Sequence, residues 1–271
     1  MKKFLAIMLV FILLVSVVAC GKSDDTTNDD ENVEVTTAAV KHVYQEEGSD
    51  DKFGYAVNAE GDYDIVSFDS VDKMHKVTIP SDIDGIPVTG IADEAFKSAW
   101  QITEIVIPDT VKYIGVAAFF DCKYLEKVDM ADSVIRISEA AFKDCIALDN
   151  LTLSKGLVEI GDGAFFGCAS LKKIALTDKV ETIGKGAFQN CTALAEVSIS
   201  ASVKEIKDGA FQGCAALKSI EIPATVEVFG KFIFTTVTAG NKDFKIIAAA
   251  DSAAAAYATA NEYTLEAPTA E

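Results

Sequence analysis

The sequence predicts an α/β repeat fold: a solenoid of 23-residue units that lays down a parallel β-ladder joined by short helical turns. A β-hairpin should close its N-terminal end and a helix its C-terminal end. Two observations carry this. The frame Ala-Phe-x-x-Cys-x-x-Leu recurs with its phenylalanine at Phe119, Phe142, Phe165, Phe188 and Phe211, and Phe96 and Phe234 extend the series one 23-residue step each way. Ahead of each copy runs a short alternating apolar stretch, such as Ile105/Ile107 or Ile174/Leu176, as expected of a strand with one face buried. A fixed period of this length is the mark of stacked units that share one core.

The chain begins with a targeting signal. Lys2 and Lys3 precede an apolar run from Phe4 to Val18, the length of a signal-peptide core and short for a membrane span. Val17-Val18-Ala19-Cys20 resembles the bacterial lipoprotein box, which implies cleavage after residue 19 and lipidation of Cys20. The mature chain is then expected to be tethered to a membrane through lipid on Cys20 without crossing it. Residues 20–52 read as an acidic linker. Asp24, Asp25, Asp29, Asp30, Glu31, Glu46, Glu47, Asp50 and Asp51 sit among small polar residues, too little apolar surface to order the chain. The paired aspartates lack the spacing and the closing glutamate of a calcium loop.

The folded domain is expected over 53–271, with an N-terminal cap at 53–76, repeats at 77–235 and a C-terminal cap at 236–271. In the first cap, alternating runs around Tyr55/Val57 and Ile65/Ser67 flank Asn58 to Asp62, a hairpin pattern. In the repeats, strand residues Val77/Ile79, Ile105/Ile107, Val128/Met130, Leu151/Leu153, Ile174/Leu176, Val197/Ile199 and Ile220/Ile222 form inward columns, and Phe244/Ile246 reads as an eighth strand. The segment before each motif phenylalanine is too short for a full helix and predicts a helical or 3₁₀ turn. In the last cap, Asp251 or Ser252 can start a helix ending near Asn261, with Tyr263/Leu265 as a final strand.

Leu171-Ile174-Leu176 matches the leucine-rich repeat strand spacing. The longer frame Ile-x-Ile-Pro-x-x-Val-x-x-Ile-Gly-x-x-Ala-Phe-x-x-Cys-x-x-Leu, complete from Ile105 to Leu125, resembles the BspA-like leucine-rich repeat of bacterial surface proteins. That resemblance runs from about Phe53 to Leu265. It implies placement at the cell surface and a role in adhesion or ligand binding.

Chemistry has little to work with. Cys122, Cys145, Cys168, Cys191 and Cys214 form one column of parallel side chains, with no CxxC pair for zinc, and should pack as small hydrophobes. The histidines are His42 and His75, and no serine lies in a Gly-x-Ser-x-Gly turn. No enzyme activity, cofactor or metal is expected. The net charge of −18 argues against nucleic acid as a partner.

Binding specificity has to be written in the letters that vary. The exposed strand columns are small and mixed in charge, without aromatic residues to stack on sugars. The aromatic residues Trp100, Tyr113, Phe120, Tyr124 and Phe166 occupy positions that are small or polar in most other units, and are expected to form a partner-docking patch near the N-terminal half. The alternative is that the hairpin cap or the linker covers them. The function expected is non-enzymatic protein binding or adhesion by a lipid-anchored surface protein, the partner being an unknown protein or a host or matrix ligand. An envelope scaffold and a glycan-binding accessory protein are the other readings.

Overall fold

The computed structural model describes residues 42–235 and 244–268. The signal segment over 1–19, Cys20 and the linker as far as 41 lie outside the described residues. At the N-terminal end, β1 (His42–Tyr44), β2 (Lys52–Val57) and β3 (Tyr63–Asp69) form an antiparallel meander. The expected hairpin is β2–β3, in register from Lys52↔Asp69 to Val57↔Tyr63. The boundary placed at residue 53 falls too late. β1 pairs with β2 from His42↔Tyr55 to Tyr44↔Phe53, so the acidic run 46–51 is a connection between strands. Its composition reads as linker, yet Asp51 is buried against a histidine that is distant in sequence.

The chain then winds through β4 (His75–Thr78), β5 (Asp82–Ile83), β6 (Ile86–Ile91), β7 (Ile102–Ile107), β8 (Tyr113–Ile114), β9 (Lys127–Met130), β10 (Arg136–Ile137), β11 (Asn150–Leu151) and β12 (Glu159–Ile160). It continues through β13 (Lys173–Ala175), β14 (Thr182–Ile183), β15 (Glu196–Ser198), β16 (Glu205–Ile206), β17 (Ser219–Glu221), β18 (Val228–Phe229), β19 (Lys245–Ile247), α1 (Ala253–Ala260) and β20 (Thr264–Glu266). Two walls of parallel strands result. One holds the expected strands and, instead of one continuous ladder, splits into β11-β9-β7-β4 and β13-β15-β17-β19-β20. At the break the strand has shrunk to Asn150–Leu151. Its following turn is held against the preceding unit by Lys155, whose backbone and ammonium nitrogens lie 3.1 and 3.0 Å from Asp132.

The second wall was not expected. Two-residue strands β8, β10, β12, β14, β16 and β18 pair in strict register, Ile114↔Ile137↔Ile160↔Ile183↔Ile206↔Phe229. This wall continues through β6 and β3 into the N-terminal cap, making one eleven-stranded sheet.

The third wall corrects the expected helical turn. In the Phe165 unit, Ala164, Phe166 and Cys168 donate their N–H groups three residues back. Gly163, Phe165 and Gly167 donate theirs to carbonyls of the next unit, at Lys185, Ala187 and Gln189. A helix would spend every N–H within its own unit, whereas alternate ones are exported here. The alternation needs left-handed backbone two residues before and two after the phenylalanine. Those positions have φ 62° at Gly163 and 73° at Gly167, with Ala140 (52°), Asp144 (60°) and Asn190 (61°) at the equivalent places.

Inside the walls, the phenylalanines stack. From Phe96 through Phe119, Phe142, Phe165, Phe188 and Phe211 to Phe234, successive ring centroids are 4.8–5.8 Å apart and nearly parallel. All seven rings are buried. The caps finish the stack: Phe53 and Phe68 pack on Phe96, while Phe244, Tyr257 and Tyr263 pack on Phe234. The C-terminal cap follows the sequence reading closely. The Ser252 side chain accepts the Ala255 N–H, α1 ends at Asn261, and β20 lies parallel to β19.

Candidate binding surfaces

The five residues expected to form one docking patch lie on different parts of the solenoid. Phe120 and Phe166 sit in the column just outside the phenylalanine stack, which reads Lys97, Phe120, Lys143, Phe166, Gln189, Gln212, Thr235. The Lys97 and Lys143 ammonium nitrogens lie 5.8 and 5.7 Å from the Phe120 ring centre, and Lys143 lies 4.9 Å from that of Phe166. Gln189 donates to Gln212 at 2.9 Å, and Gln212 donates to Thr235 at 3.2 Å. The column therefore ties itself together, first by cation–π contacts and then by amides. Phe120 and Phe166 are half-buried within it.

Tyr113 belongs to the second wall. Its ring lies over Gly90, where a Cβ would come within 2.3 Å of it. Its hydroxyl donates to Asp64 of the hairpin cap, and burial followed by that bond pushes its pKa up. The cap covers Tyr113, so this residue leaves the expected patch.

Trp100 and Tyr124 remain open, 40% and 47% exposed. They sit at the corner between the turn wall and the following strand, in adjacent columns of successive units. The Trp100 column continues to Lys123 and then Ile146, which is 46% exposed. The Tyr124 column continues as Ala147, Ser170, Ala193 and Ala216. This corner is bulky and apolar in the first units and small in the later ones. Sequence reading passed over Ile146, although the 23-residue period places it two steps from Trp100.

Elsewhere the strand faces are mostly polar, while Phe232 and the Ile135/Val158 pair of successive units are exposed on other columns. On the strand wall Lys127 lies 4.0 Å from Glu104 and 3.9 Å from Asp129, a local cluster of exposed charges. At the ladder break a cleft of about 450 Å³ has Leu151, Leu153 and Ile174 as its floor and Lys155, Lys173 and Glu196 at its rim. A shallower groove of about 650 Å³ crosses the second wall beside Arg136, Glu159 and Glu181.

The cysteine column is structural. Each thiol donates to the phenylalanine carbonyl of the preceding unit, from Cys122 on Phe96 at 3.1 Å to Cys214 on Phe188 at 3.2 Å. Burial pushes the Cys145, Cys168, Cys191 and Cys214 thiols up, Cys214 to about 12. Among the described residues all the cysteines are free, and no group of acids, histidines and cysteines is arranged to hold a metal.

One polar cluster has the residue types of a hydrolase triad. Asp51 Oδ1 receives the Ser70 hydroxyl at 2.5 Å and lies 2.7 Å from His75 Nε2, while His75 Nδ1 faces the Lys73 carbonyl at 3.0 Å. The roles do not fit. In a triad the acid holds one ring nitrogen and the serine the other. Here both crowd Nε2, and the serine proton already belongs to the aspartate.

A model of the BspA type leucine rich repeat region matches the chain in six copies over residues 89–176 and 117–240. The chain belongs to the BspA-type leucine-rich repeat family. This BspA-type chain is similar to the crystal structure of a leucine-rich repeat protein of T. pallidum, at 31% identity over 66% of this chain and 83% of that one, TM-score 0.59. It is similar to one from Bacteroides ovatus at 32% identity, covering 68% of this chain and 49% of that one, TM-score 0.62. A leucine rich cell surface protein of Faecalibacterium prausnitzii is similar at 29% identity over 76% and 54%, TM-score 0.65. The chain thus spans about half the length of the last two. No curated protein matches it. In this BspA-type chain the motif letters Phe, Cys and Leu all point inward, which leaves the variable columns on the surface.

Proposed function

We propose that this BspA-type protein is a non-enzymatic binding or adhesion protein, held outside the cytoplasm by lipid on Cys20, and that it engages a protein partner at the corner formed by Trp100, Tyr124 and Ile146. The observation that carries this is the exposure of Trp100 and Tyr124 at 40% and 47% in adjoining columns of successive units, with Ile146 beside them. A large aromatic side chain left in water at a position that later units fill with alanine, serine or threonine is a natural interface anchor. The surface description of the F. prausnitzii relative supports the location. Among the described residues no helix is long and apolar enough to cross a membrane. The serine, histidine and aspartate cluster is a structural tie, which supports a role without catalysis.

The test is display of the full chain on bacteria over immobilised fibronectin, laminin and collagen. Saturable adhesion to at least one of them, removed by surface proteolysis, is expected. Adhesion to none rejects a matrix ligand. A Cys20→Ser variant should appear in the medium instead of the membrane fraction, and retention on the membrane rejects the lipid anchor.

A further inference from the structure

His75 opens β4, the end strand of its ladder, and its side chain meets Asp51, just ahead of β2 in the N-terminal cap. The imidazole has an acceptor at each nitrogen: Asp51 Oδ1 at 2.7 Å on Nε2 and the Lys73 carbonyl at 3.0 Å on Nδ1. A neutral imidazole carries one N–H and one lone pair, so one of these contacts would set a lone pair against an oxygen. Only the imidazolium donates to both. Ser70 adds its hydroxyl to the same carboxylate oxygen at 2.5 Å, leaving the acid no shortage of donors. The cluster is sheltered, with 21% of the His75 side chain and 11% of the Asp51 side chain in water.

We propose that His75 is a protonation latch: as a cation it fastens the start of β2, through Asp51, to the first residue of β4, and as a neutral ring it loosens that corner of the cap while the β3–β6 pairing holds the rest. The charged groups facing it are few. Asp51 favours the cation, and the Lys73 ammonium opposes it while leaning on Asp50 at 3.7 Å. The neighbouring strand β7 presents Ile102 in register with His75, and the adjoining Gln101 carbonyl takes the His75 backbone N–H at 2.8 Å. Neither is charged. Burial lowers the His75 pKa, but the Asp51 hydrogen bond, the Lys73 carbonyl and the Asp51 charge outweigh it, and the net direction is up from 6.5.

The sign follows. A histidine held more firmly as a cation in the folded state contributes stability that is complete below pH 6.5 and is lost as pH rises through its folded value. Loosening that corner would weaken the cover that Phe53, at the start of β2, gives the Phe96 end of the stack. An alkaline shift therefore loosens the cover over one solenoid end without undoing the β3–β6 pairing.

Two measurements on the full chain test this. In a proton NMR titration, with His42→Gln used to assign the two histidines, the His75 ring should titrate above 6.5, and a midpoint at or below that value overturns the latch. In hydrogen exchange corrected for intrinsic rates, protection of the Phe53–Val57 amides should fall about tenfold between pH 5.5 and 8.5. His75→Gln should flatten that change to about twofold or less, as should Asp51→Asn, which keeps the ring. Protection that is independent of pH in the wild-type chain, or a pH dependence that survives in both variants, overturns the proposal.

Discussion

The Cys145 sulfur lies 3.1 Å from the carbonyl oxygen of Phe119, and this contact repeats at each cysteine of the column. That carbonyl already accepts the Cys122 N–H at 3.3 Å within its own unit. The thiol thus fills the second lone pair of a buried oxygen while occupying the volume of a small apolar group. Reagents should find these sulfurs inert. Iodoacetamide at pH 8 is expected to label none of Cys122, Cys145, Cys168, Cys191 or Cys214 in the native chain and all of them in urea. Rapid native labelling of several, read by mass spectrometry, would reject the structural role.

The phenylalanine stack and its outer neighbours should separate cleanly by mutation. Phe142→Ala empties the middle of the stack and should cost about 3–5 kcal/mol. Phe120→Ser loses a half-buried ring and two cation–π contacts at the surface, and should cost about 1–2 kcal/mol. Urea denaturation of the two variants checks the order, and equal losses would contradict the inward and outward assignment.

Ala140 adopts φ 52° at a position that later units give to Gly163, Gly186 and Gly209. The left-handed backbone costs an alanine about 1 kcal/mol. Ala140→Gly should therefore raise stability by a few tenths to about 1 kcal/mol, the gain being trimmed by the larger chain entropy of glycine. A lower melting temperature would show that the Ala140 methyl group packs more usefully than its backbone strains.

What the sequence discloses depends on the kind of signal. The inward columns were legible because a 23-residue period puts the same letter at the same place on every turn, and Ser252 to Asn261 carries its own capping signals. The second wall was not legible, since strands such as Arg136–Ile137 are too short to show alternation. The turn wall was expected to hold a helical or 3₁₀ turn because its segment is too short for a full helix. Glycine and asparagine at Gly163, Gly167 and Asn190 were the sign of left-handed backbone instead. The aromatic patch failed as a group because position in the sequence does not say which wall a column faces: Tyr113 met Asp64, and Phe120 met two lysines. His75 and Asp51 are 24 residues apart, and no local pattern joins them.

The central claim is that the Trp100 and Tyr124 corner is where this protein holds its partner. The most direct measurement compares surface adhesion of the wild-type chain with the Trp100→Ala/Tyr124→Ala double variant, alongside their melting temperatures. The account predicts that adhesion falls about tenfold or more, at the level of an interface hot spot, while the melting temperature stays within about 2 °C, as for exposed side chains. Undiminished adhesion by the double variant would contradict it.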